Sequence, residues 1–182
     1  MGNRKRDLSK VLVIDVESSC WKTSPPPGQQ SEIIEIGISV LDLRKKEIIK
    51  SEGIFVKPEY SEISDFCTEL TTITQEQVDT GVSFYRACEV LKNLYNSENT
   101  TWASWGDYDR VQFERCCKLH KCKYPFGRTH INVKNLFALS KGLDKEVGVD
   151  IALKMMKMPF EGVHHRGVDD SINIAKLFLE IL

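Results

Sequence analysis

The sequence predicts an α/β fold in which helices cover a mixed β-sheet, and three observations lead to this prediction. The N-terminal third holds three segments rich in Val and Ile, at residues 10–17, 32–43 and 46–58. Two shorter apolar segments follow at residues 101–105 and 130–133, and each precedes a segment with helical periodicity. Consecutive strands followed by alternating helices and strands are typical of a mixed sheet with helices packed on its faces.

The first three of these five strands are expected to form an antiparallel meander. A tight charged turn joins the second strand to the third, and β-branched residues are frequent in both. Residues 23–31 (TSPPPGQQS) must form a loop, because three consecutive prolines cannot donate hydrogen bonds to a sheet. A polar-rich helical stretch follows the third strand, and helices are predicted at residues 75–79, 83–96, 109–121, 134–140, 148–156 and 168–181.

The composition predicts a single domain spanning residues 1–182. Apolar residues make up 41% and charged residues 28% of the chain, and no apolar stretch reaches the roughly 20 residues that a membrane span needs. The start, MGNRKRDLSK, does not read as a secretory signal, so we expect a cytoplasmic protein whose six cysteines remain thiols. A net charge of −1 gives no bulk attraction for nucleic acid, and basic groups such as residues 4–6 are typical of solvated faces.

Asp15 and Glu17 are carboxylates within an otherwise apolar strand, in VLVIDVESSC (residues 11–20). Successive side chains of a strand alternate between its faces, so these two acids share a face with Val11 and Val13. Apolar residues on both faces indicate a central strand, where unpaired carboxylates carry a large desolvation cost. The motif predicts either a site for a positively charged group or a strand end at which both acids reach water.

A second acidic group lies where WASW ends and a helix begins, in GDYDRVQFERCC. Asp109 shares a helical face with Phe113, whereas Asp107 aligns with a polar face. We therefore expect Asp109 to point inward and Asp107 to start or cap the helix. Tyr108, between them, is able to present an aromatic face to a base.

The C-terminal helix offers two adjacent acids, in HHRGVDDSINIAKLFLEIL. Asp170 shares its face with Ile174 and Leu177, whereas Asp169 shares its own with Asn173. We expect Asp170 to point inward and Asp169 to be an N-terminal acid that complements the helix dipole.

Inward carboxylates that gather at one place repel one another unless cations lie between them. Oxygen ligands without a matching Cys or His set favour Mg²⁺ or Mn²⁺ over structural zinc. Two such ions roughly 4 Å apart are the standard arrangement for phosphoryl transfer. The predicted ligands are Asp15, Glu17, Asp109 and Asp170.

Two histidines precede Asp170 on the loop that enters the last helix. His165 is placed to take a proton from an attacking water, and an imidazole with its ordinary pKa of about 6.5 suits a general base near neutral pH. His164 is the competing candidate, or else a solvated or loop-anchoring residue, and the residues alone favour His165 only weakly. Elsewhere, Cys117, His120 and Cys122 suggest zinc, but without a fourth ligand the pattern does not predict a zinc site.

Taken in chain order, these residues resemble the DEDDh 3′-to-5′ exonucleases, a family with a ribonuclease H-like fold whose name lists four acids and a histidine. The D-x-E at Asp15 and Glu17, the helix-start Asp109, and the H-x-x-x-x-D formed by His165 and Asp170 match the family in order and structural context. The match spans nearly the whole chain, and its last spacing selects the second histidine of the pair. The resemblance implies a five-stranded mixed sheet flanked by helices.

Finer features are similar to the branch that contains the histone-mRNA and small-RNA 3′ exonuclease and the bacterial KapD-like proteins. In that branch the segment ELT-x-IT borders the terminal nucleotide, which implicates Leu70 and Thr71 in substrate binding; ordinary core packing is the alternative for Leu70. Tyr108 and Trp21 are candidates for stacking on a base, although Trp21 could instead fold back on the sheet. The matching segments are FCTELTTITQEQVD (66–79), WGDYDRVQF (105–113), YPF (124–126), INVKNLF (131–137) and HHRGVDDSINIAKL (164–177).

The sequence thus predicts a metal-dependent 3′-to-5′ exonuclease that releases nucleoside 5′-monophosphates from single-stranded 3′ ends, of RNA more than of DNA. A proofreading-type DNA exonuclease is the competing enzyme, because it shares the same five catalytic residues. Two non-enzymatic functions also compete: a nucleic-acid-binding module without catalysis, and a structural protein with a chance cluster of acids.

Overall fold

The computed structural model describes residues 8–182, so the basic group at residues 4–6 lies outside the described residues. In this part of the chain six strands form one sheet, in the order β4-β3-β2-β1-β5-β6. The first three strands pair antiparallel, and the other pairs are parallel. The strands are β1 (Lys10–Ser18), β2 (Ile33–Asp42), β3 (Glu47–Lys57), β4 (Val82–Ser83), β5 (Thr101–Ser104) and β6 (His130–Asn132).

The predicted fold class is confirmed, with one strand more than expected. The additional strand, β4, has two residues and pairs with the edge of β3 through Val56 and Val82. A two-residue strand is too short to show the alternation by which strands are found in a sequence.

Seven helices cover the described sheet. Six of them begin and end within a few residues of the predicted bounds. The other, α1, is the helical stretch after the third strand, for which the sequence predicts no bounds. Side chains cap the first helices: Ser64 accepts a hydrogen bond from the Cys67 N–H, and Thr74 forms a capping box with Gln77. The helices are α1 (Asp65–Thr71), α2 (Gln75–Asp79), α3 (Phe84–Tyr95), α4 (Tyr108–Leu119), α5 (Val133–Ser140), α6 (Val149–Met155) and α7 (Gly167–Ile181).

The central strand β1 separates two apolar cores, as the alternation of its side chains predicts. Leu12 and Ile14 pack on one face with residues of α3 and α4. Val11 and Val13 pack on the other face with Ile174 and further residues of α5 and α7. Asp15 and Glu17 continue the second face, so α7 lies on the side of the sheet where these acids project.

Helix α7 approaches the sheet closely because β2 has a glycine at the contact. A Cβ atom on Gly37 would lie 1.8 Å from the Gly167 carbonyl oxygen, and Gly37 is the register partner of Asp15. This contact sets the start of α7, with Asp170 in its first turn, against the acidic end of β1. Among residues 8–182, no helix has the length and apolar character that crossing a membrane requires.

Candidate active site

Three of the predicted acids meet at the end of β1. Carboxylate oxygens of Asp15, Glu17 and Asp170 lie within 4.8 Å of one another. Asp15 and Glu17 project from the same face of β1. Helix α7 packs on that face and carries Asp170 in its first turn. The sequence prediction that these side chains converge therefore agrees with the geometry.

Asp109 joins this cluster from the first turn of α4. Its side chain is buried, and its Oδ1 atom accepts a hydrogen bond of 2.9 Å from the backbone N–H of Val16. That N–H belongs to the residue between Asp15 and Glu17, so the bond ties the start of α4 to the strand segment that carries both acids.

The neighbouring acids have other partners, as their helical faces predict. Asp107 is the N-terminal cap residue of α4 by position, but its side chain makes no capping hydrogen bond. It instead accepts hydrogen bonds of 2.7 and 2.6 Å from Arg110, so the expected side-chain cap is absent. Asp169, in the first turn of α7, accepts a hydrogen bond of 2.9 Å from the backbone N–H of Val163 and so holds the loop before the helix.

The cluster carries more negative charge than its surroundings compensate. Burial, followed by repulsion from Asp109, raises the pKa of Asp15 well above its usual value. Burial and repulsion from Asp170 raise the pKa of Glu17 to about 8. Burial is also the largest cause that raises the pKa of Asp109 to about 7 and that of Asp170 to about 6.

The raised pKa values of the four acids are those of a site that fits divalent cations. Four oxygen-donor side chains converge with no lysine or arginine ion-paired to any of them among the described residues, and hard cations such as Mg²⁺ and Mn²⁺ prefer oxygen ligands. Binding of such cations would offset both burial, the largest cause of the raised pKa values, and the repulsion between the acids.

A buried acid that the sequence analysis did not select, Glu35, anchors the loop before α7. Its carboxylate accepts two hydrogen bonds of 3.2 Å from the Arg166 guanidinium and one of 2.9 Å from the backbone N–H of Gly167. The Arg166 guanidinium also lies 5.5 Å from the centre of the Phe55 ring. Since Glu35 lies within an apolar strand, its charge was a signal that could have marked it as a paired interior group.

The two candidate histidines differ in their surroundings. Both are exposed, but His165 has a left-handed backbone with φ +59° and directly precedes the anchored Arg166. The His164 ring stacks on Phe160 with the ring centres 3.6 Å apart. Both histidines line the cavity described next, and the packed ring of His164 fits a loop-anchoring role.

A cavity of about 730 Å³ opens beside the acids. Leu70, Thr71 and Tyr108 line it, as predicted for residues that contact a nucleotide. Leu70 is 39% exposed and Tyr108 57% exposed, so neither is an ordinary core residue. Thr71 is fully buried, and its hydroxyl donates a hydrogen bond to the Cys67 carbonyl, which leaves its apolar part for the cavity wall.

The structure does not place Trp21 in this cavity, although the adjacent Cys20 lines it. A substrate contact by Trp21 is therefore without support in this geometry. Sequence analysis instead missed Trp105, which lines the cavity and donates a hydrogen bond of 3.0 Å from its indole N–H to the Val147 carbonyl. Trp105 follows the short strand β5 directly, a position from which a side chain reaches the same edge as Asp109.

Comparison with known proteins links this geometry to one family. A family profile described as "Exonuclease" (RNase_T) matches residues 12–178. The human protein "3′-5′ exoribonuclease 1" is 31% identical over 182 residues, which are 94% of this chain and 52% of the human protein. This chain thus spans about half the length of that curated relative.

Solved structures give the same result. The crystallographic structure of the nuclease domain of 3′hExo, described as a DEDDh family member bound to rAMP, is 28% identical with a TM-score of 0.87. The alignment covers 97% of this chain and 92% of that domain. A structure of a 3′-exonuclease, described as showing 3′-end specific recognition of a histone mRNA stem-loop, has a TM-score of 0.85 and 28% identity, and the alignment covers 97% of this chain and 64% of that one.

Proposed function

Because this chain belongs to the exonuclease family, we propose that it is a 3′-to-5′ exonuclease that releases nucleoside 5′-monophosphates from single-stranded RNA ends. One observation carries the proposal: the four acids converge at the wall of a cavity of about 730 Å³. A further part of the proposal is that residues 1–182 form one exonuclease domain, which the profile match over residues 12–178 supports.

Exonucleases of this family use divalent metal ions, and the cofactor we propose is a pair of Mg²⁺ or Mn²⁺ ions. The ligands would be Asp15, Glu17, Asp109 and Asp170. When bound, the ions would act as Lewis acids that favour ionisation of the attacking water and stabilise charge on the departing 3′ oxygen. The raised pKa values support this assignment, because burial and mutual repulsion disfavour the ionised acids, and no lysine or arginine forms an ion pair with them among the described residues.

His165 would act as the general base that takes the proton of the attacking water. Its exposed imidazole lines the cavity, and Arg166 and Gly167, the residues that follow it, are fixed by Glu35. This anchor restricts the backbone next to the imidazole, so the base reaches the cavity from a defined direction. Restricting the position of a catalytic group lowers the entropic part of the barrier.

Leu70, Thr71 and Tyr108 would bind the terminal nucleotide. Leu70 offers an exposed apolar surface and Tyr108 an exposed ring on the cavity wall, and aromatic rings stack on bases regardless of their sequence. A terminal base must leave its neighbours to enter such a cavity, which favours single-stranded ends.

The preference for RNA is supported by the relatives, which include exoribonucleases from human, rat and mouse. A cytoplasmic location belongs to the same proposal, and it is supported by the six cysteines, all of which are free thiols in the structure.

A time course on 5′-labelled single-stranded RNA and DNA of matched sequence would test the function. We expect a ladder that shortens from the 3′ end with Mg²⁺ or Mn²⁺, stops with EDTA, and forms faster on RNA. Asp15→Asn and Asp170→Asn should abolish the ladder. Asp169→Asn should keep most of it, because the Asp169 side chain accepts a hydrogen bond from the loop backbone and is not a proposed metal ligand.

Two results would count against the proposal. Equal rates for Asp15→Asn and the unaltered chain would overturn the site assignment. Binding of the labelled strand without shortening, at any of the metal concentrations, would favour a binding module, and faster shortening of DNA would favour a DNA exonuclease.

A further inference from the structure

Three cysteine side chains form a cluster that is separate from the acidic site. Cys88 lies in α3, Cys117 lies in α4, and Cys122 lies in the turn that follows α4. Their sulfur atoms all lie within 4.8 Å of one another. His120, which the sequence places between two of these cysteines, is not part of the group, because its ring lies 3.1 Å from the Glu32 carboxylate.

The end of α4 brings two of these sulfurs together. The helix ends at Leu119 with His120 as its C-terminal cap, Lys121 has a left-handed φ of +50°, and the Cys122 N–H donates a hydrogen bond of 3.0 Å to the Cys117 carbonyl. This is the pattern of a Schellman motif, in which the chain turns back and the side chains of these two positions come into contact. Cys88 approaches them from α3, which packs against the same core.

We propose that Cys88, Cys117 and Cys122 form a binding site for a soft metal ion of the Zn²⁺ class, separate from the carboxylate cluster. Zinc bonds to thiolate sulfur at about 2.3 Å, so three sulfurs around one ion would lie about 3.8 Å apart. The observed sulfur separations, at most 4.8 Å, require an adjustment of about 1 Å or less in flexible side chains. The proposal does not depend on the proposed nuclease activity.

The surroundings favour a thiolate-bound metal over a hard cation. Cys88 and Cys117 are buried in an apolar core, and Cys122 is partly exposed, which leaves one open side for the ion to enter and for a water ligand. Thiolates in apolar surroundings select Zn²⁺ and Cu(I) and exclude Mg²⁺. No oxygen-donor acid belongs to the cluster within the described residues, in contrast to the catalytic site.

Two further groups fit such a site. Lys92 lies one turn after Cys88 on α3, where it is ion-paired with Glu89 at 2.8 Å. It is also close enough to act electrostatically on all three sulfurs, and would offset part of the negative charge of three thiolates around a divalent ion. The Tyr124 hydroxyl is buried without a hydrogen-bond partner and acts electrostatically on Cys117. A water ligand on the metal could supply the partner that this hydroxyl lacks.

Cobalt titration of the full chain tests the site, because a Co²⁺ ion bound to thiolates gives a sulfur-to-metal charge-transfer band that carboxylates cannot produce. The chain is kept reduced with a phosphine under anaerobic conditions, and excess Mg²⁺ fills the acidic site. We expect the band to saturate at one cobalt ion per chain and to disappear when Zn²⁺ is added. Cys122→Ser, at the partly exposed position, should lose the band.

Cys116→Ser is the control for loss of a neighbouring thiol, because Cys116 lies beside Cys117 on α4 but is not a member of the cluster. It should keep the cobalt band of the unaltered chain. In parallel, Zn²⁺ in the presence of excess Mg²⁺ should raise the melting temperature of the unaltered chain and of Cys116→Ser, and not that of Cys122→Ser. No charge-transfer band in the reduced chain, or a band that Cys122→Ser retains, would overturn the proposal and leave the three thiols as core packing.

Discussion

At the scale of single residues, the position of His165 depends on a buried ion pair outside the cavity. Glu35 is 1% exposed and binds both the Arg166 side chain and the Gly167 backbone. Arg166 also lowers the pKa of Glu17, against the larger effects of burial and of Asp170. Arg166 therefore contributes to the loop conformation and to the charge of the site.

Replacing each candidate histidine separates their roles. His165→Ala should lower the turnover rate by about 10²–10⁴-fold, the range in which a positioned general base contributes. His164→Ala should cost less, because its ring stacks on Phe160 and packs the loop. Single-turnover rates on labelled RNA at saturating metal would measure both variants. A larger loss for His164→Ala would reverse the assignment.

Arg166→Ala should destabilise the protein by about 3 kcal/mol, because it leaves the Glu35 carboxylate buried without its cation. Arg110→Ala is the matched control, since Arg110 bonds to Asp107 and Glu114 at the surface and its loss should change stability little. Urea unfolding of the two variants gives the comparison. Similar midpoints for both would contradict the anchoring role of the buried pair.

At the scale of elements, two helices begin at the acidic cluster. Asp109 lies in the first turn of α4 and Asp170 in the first turn of α7. The positive end of a helix dipole favours a nearby carboxylate, so each helix start stabilises the acid that it carries. The sheet fixes where these helices start, through the Val16 N–H for α4 and the Gly37 contact for α7.

Gly37→Ala should move the start of α7 away from β2, because the added Cβ would meet backbone atoms of Gly167 at 1.8 Å. We expect a destabilisation of at least about 3 kcal/mol, at the upper end of overpacking effects, and a large loss of activity as Asp170 leaves Asp15. Gly53→Ala provides a graded comparison, since its added Cβ would meet only side-chain atoms, the nearest being Glu35 Oε1 at 2.9 Å. Thermal unfolding and RNA cleavage of both variants test this, and equal effects would contradict the close-contact explanation.

At the scale of the whole molecule, the charge of the cluster couples stability to pH and to metal. The pKa of Glu17 is raised from 4.5 to about 8 and that of Asp109 from 3.8 to about 7. The folded state holds these protons more tightly than the unfolded state, so the stability that they contribute is complete below the ordinary pKa values. It is lost as the pH rises through the folded pKa values.

Without metal, the free energy of unfolding should therefore fall as the pH rises from about 5 to about 8, by up to about 1.4 kcal/mol per pH unit for each such acid, and the melting temperature should fall with it. Glu17→Gln should reduce the slope, since it removes one titrating group. Mg²⁺ should stabilise the chain most at pH 8, by about 2.7 kcal/mol at roughly 100 times its dissociation constant. Scanning calorimetry across this pH range measures both effects, and a metal-free stability that rises with pH would contradict the charge cluster.

The sequence by itself determined the inward acids and all elements except β4 and the bounds of α1. Strand alternation gave the two faces of β1, and helical periodicity separated Asp109 from Asp107 and Asp170 from Asp169, because these patterns depend on local geometry that each residue carries. The spacing of the family motif selected His165 over its neighbour. The site roles of these residues stay predictions until the variants are measured.

Only the tertiary structure decided which side chains from distant elements come into contact. Glu35, Trp105 and the third sulfur of the cysteine cluster lie far along the chain from their partners, and no local pattern relates them. Tertiary structure also shows that Trp21 does not line the cavity. It shows that Cys88, and not His120, lies beside Cys117 and Cys122. These contacts follow from sheet order and helix placement, which are set by packing of the whole core.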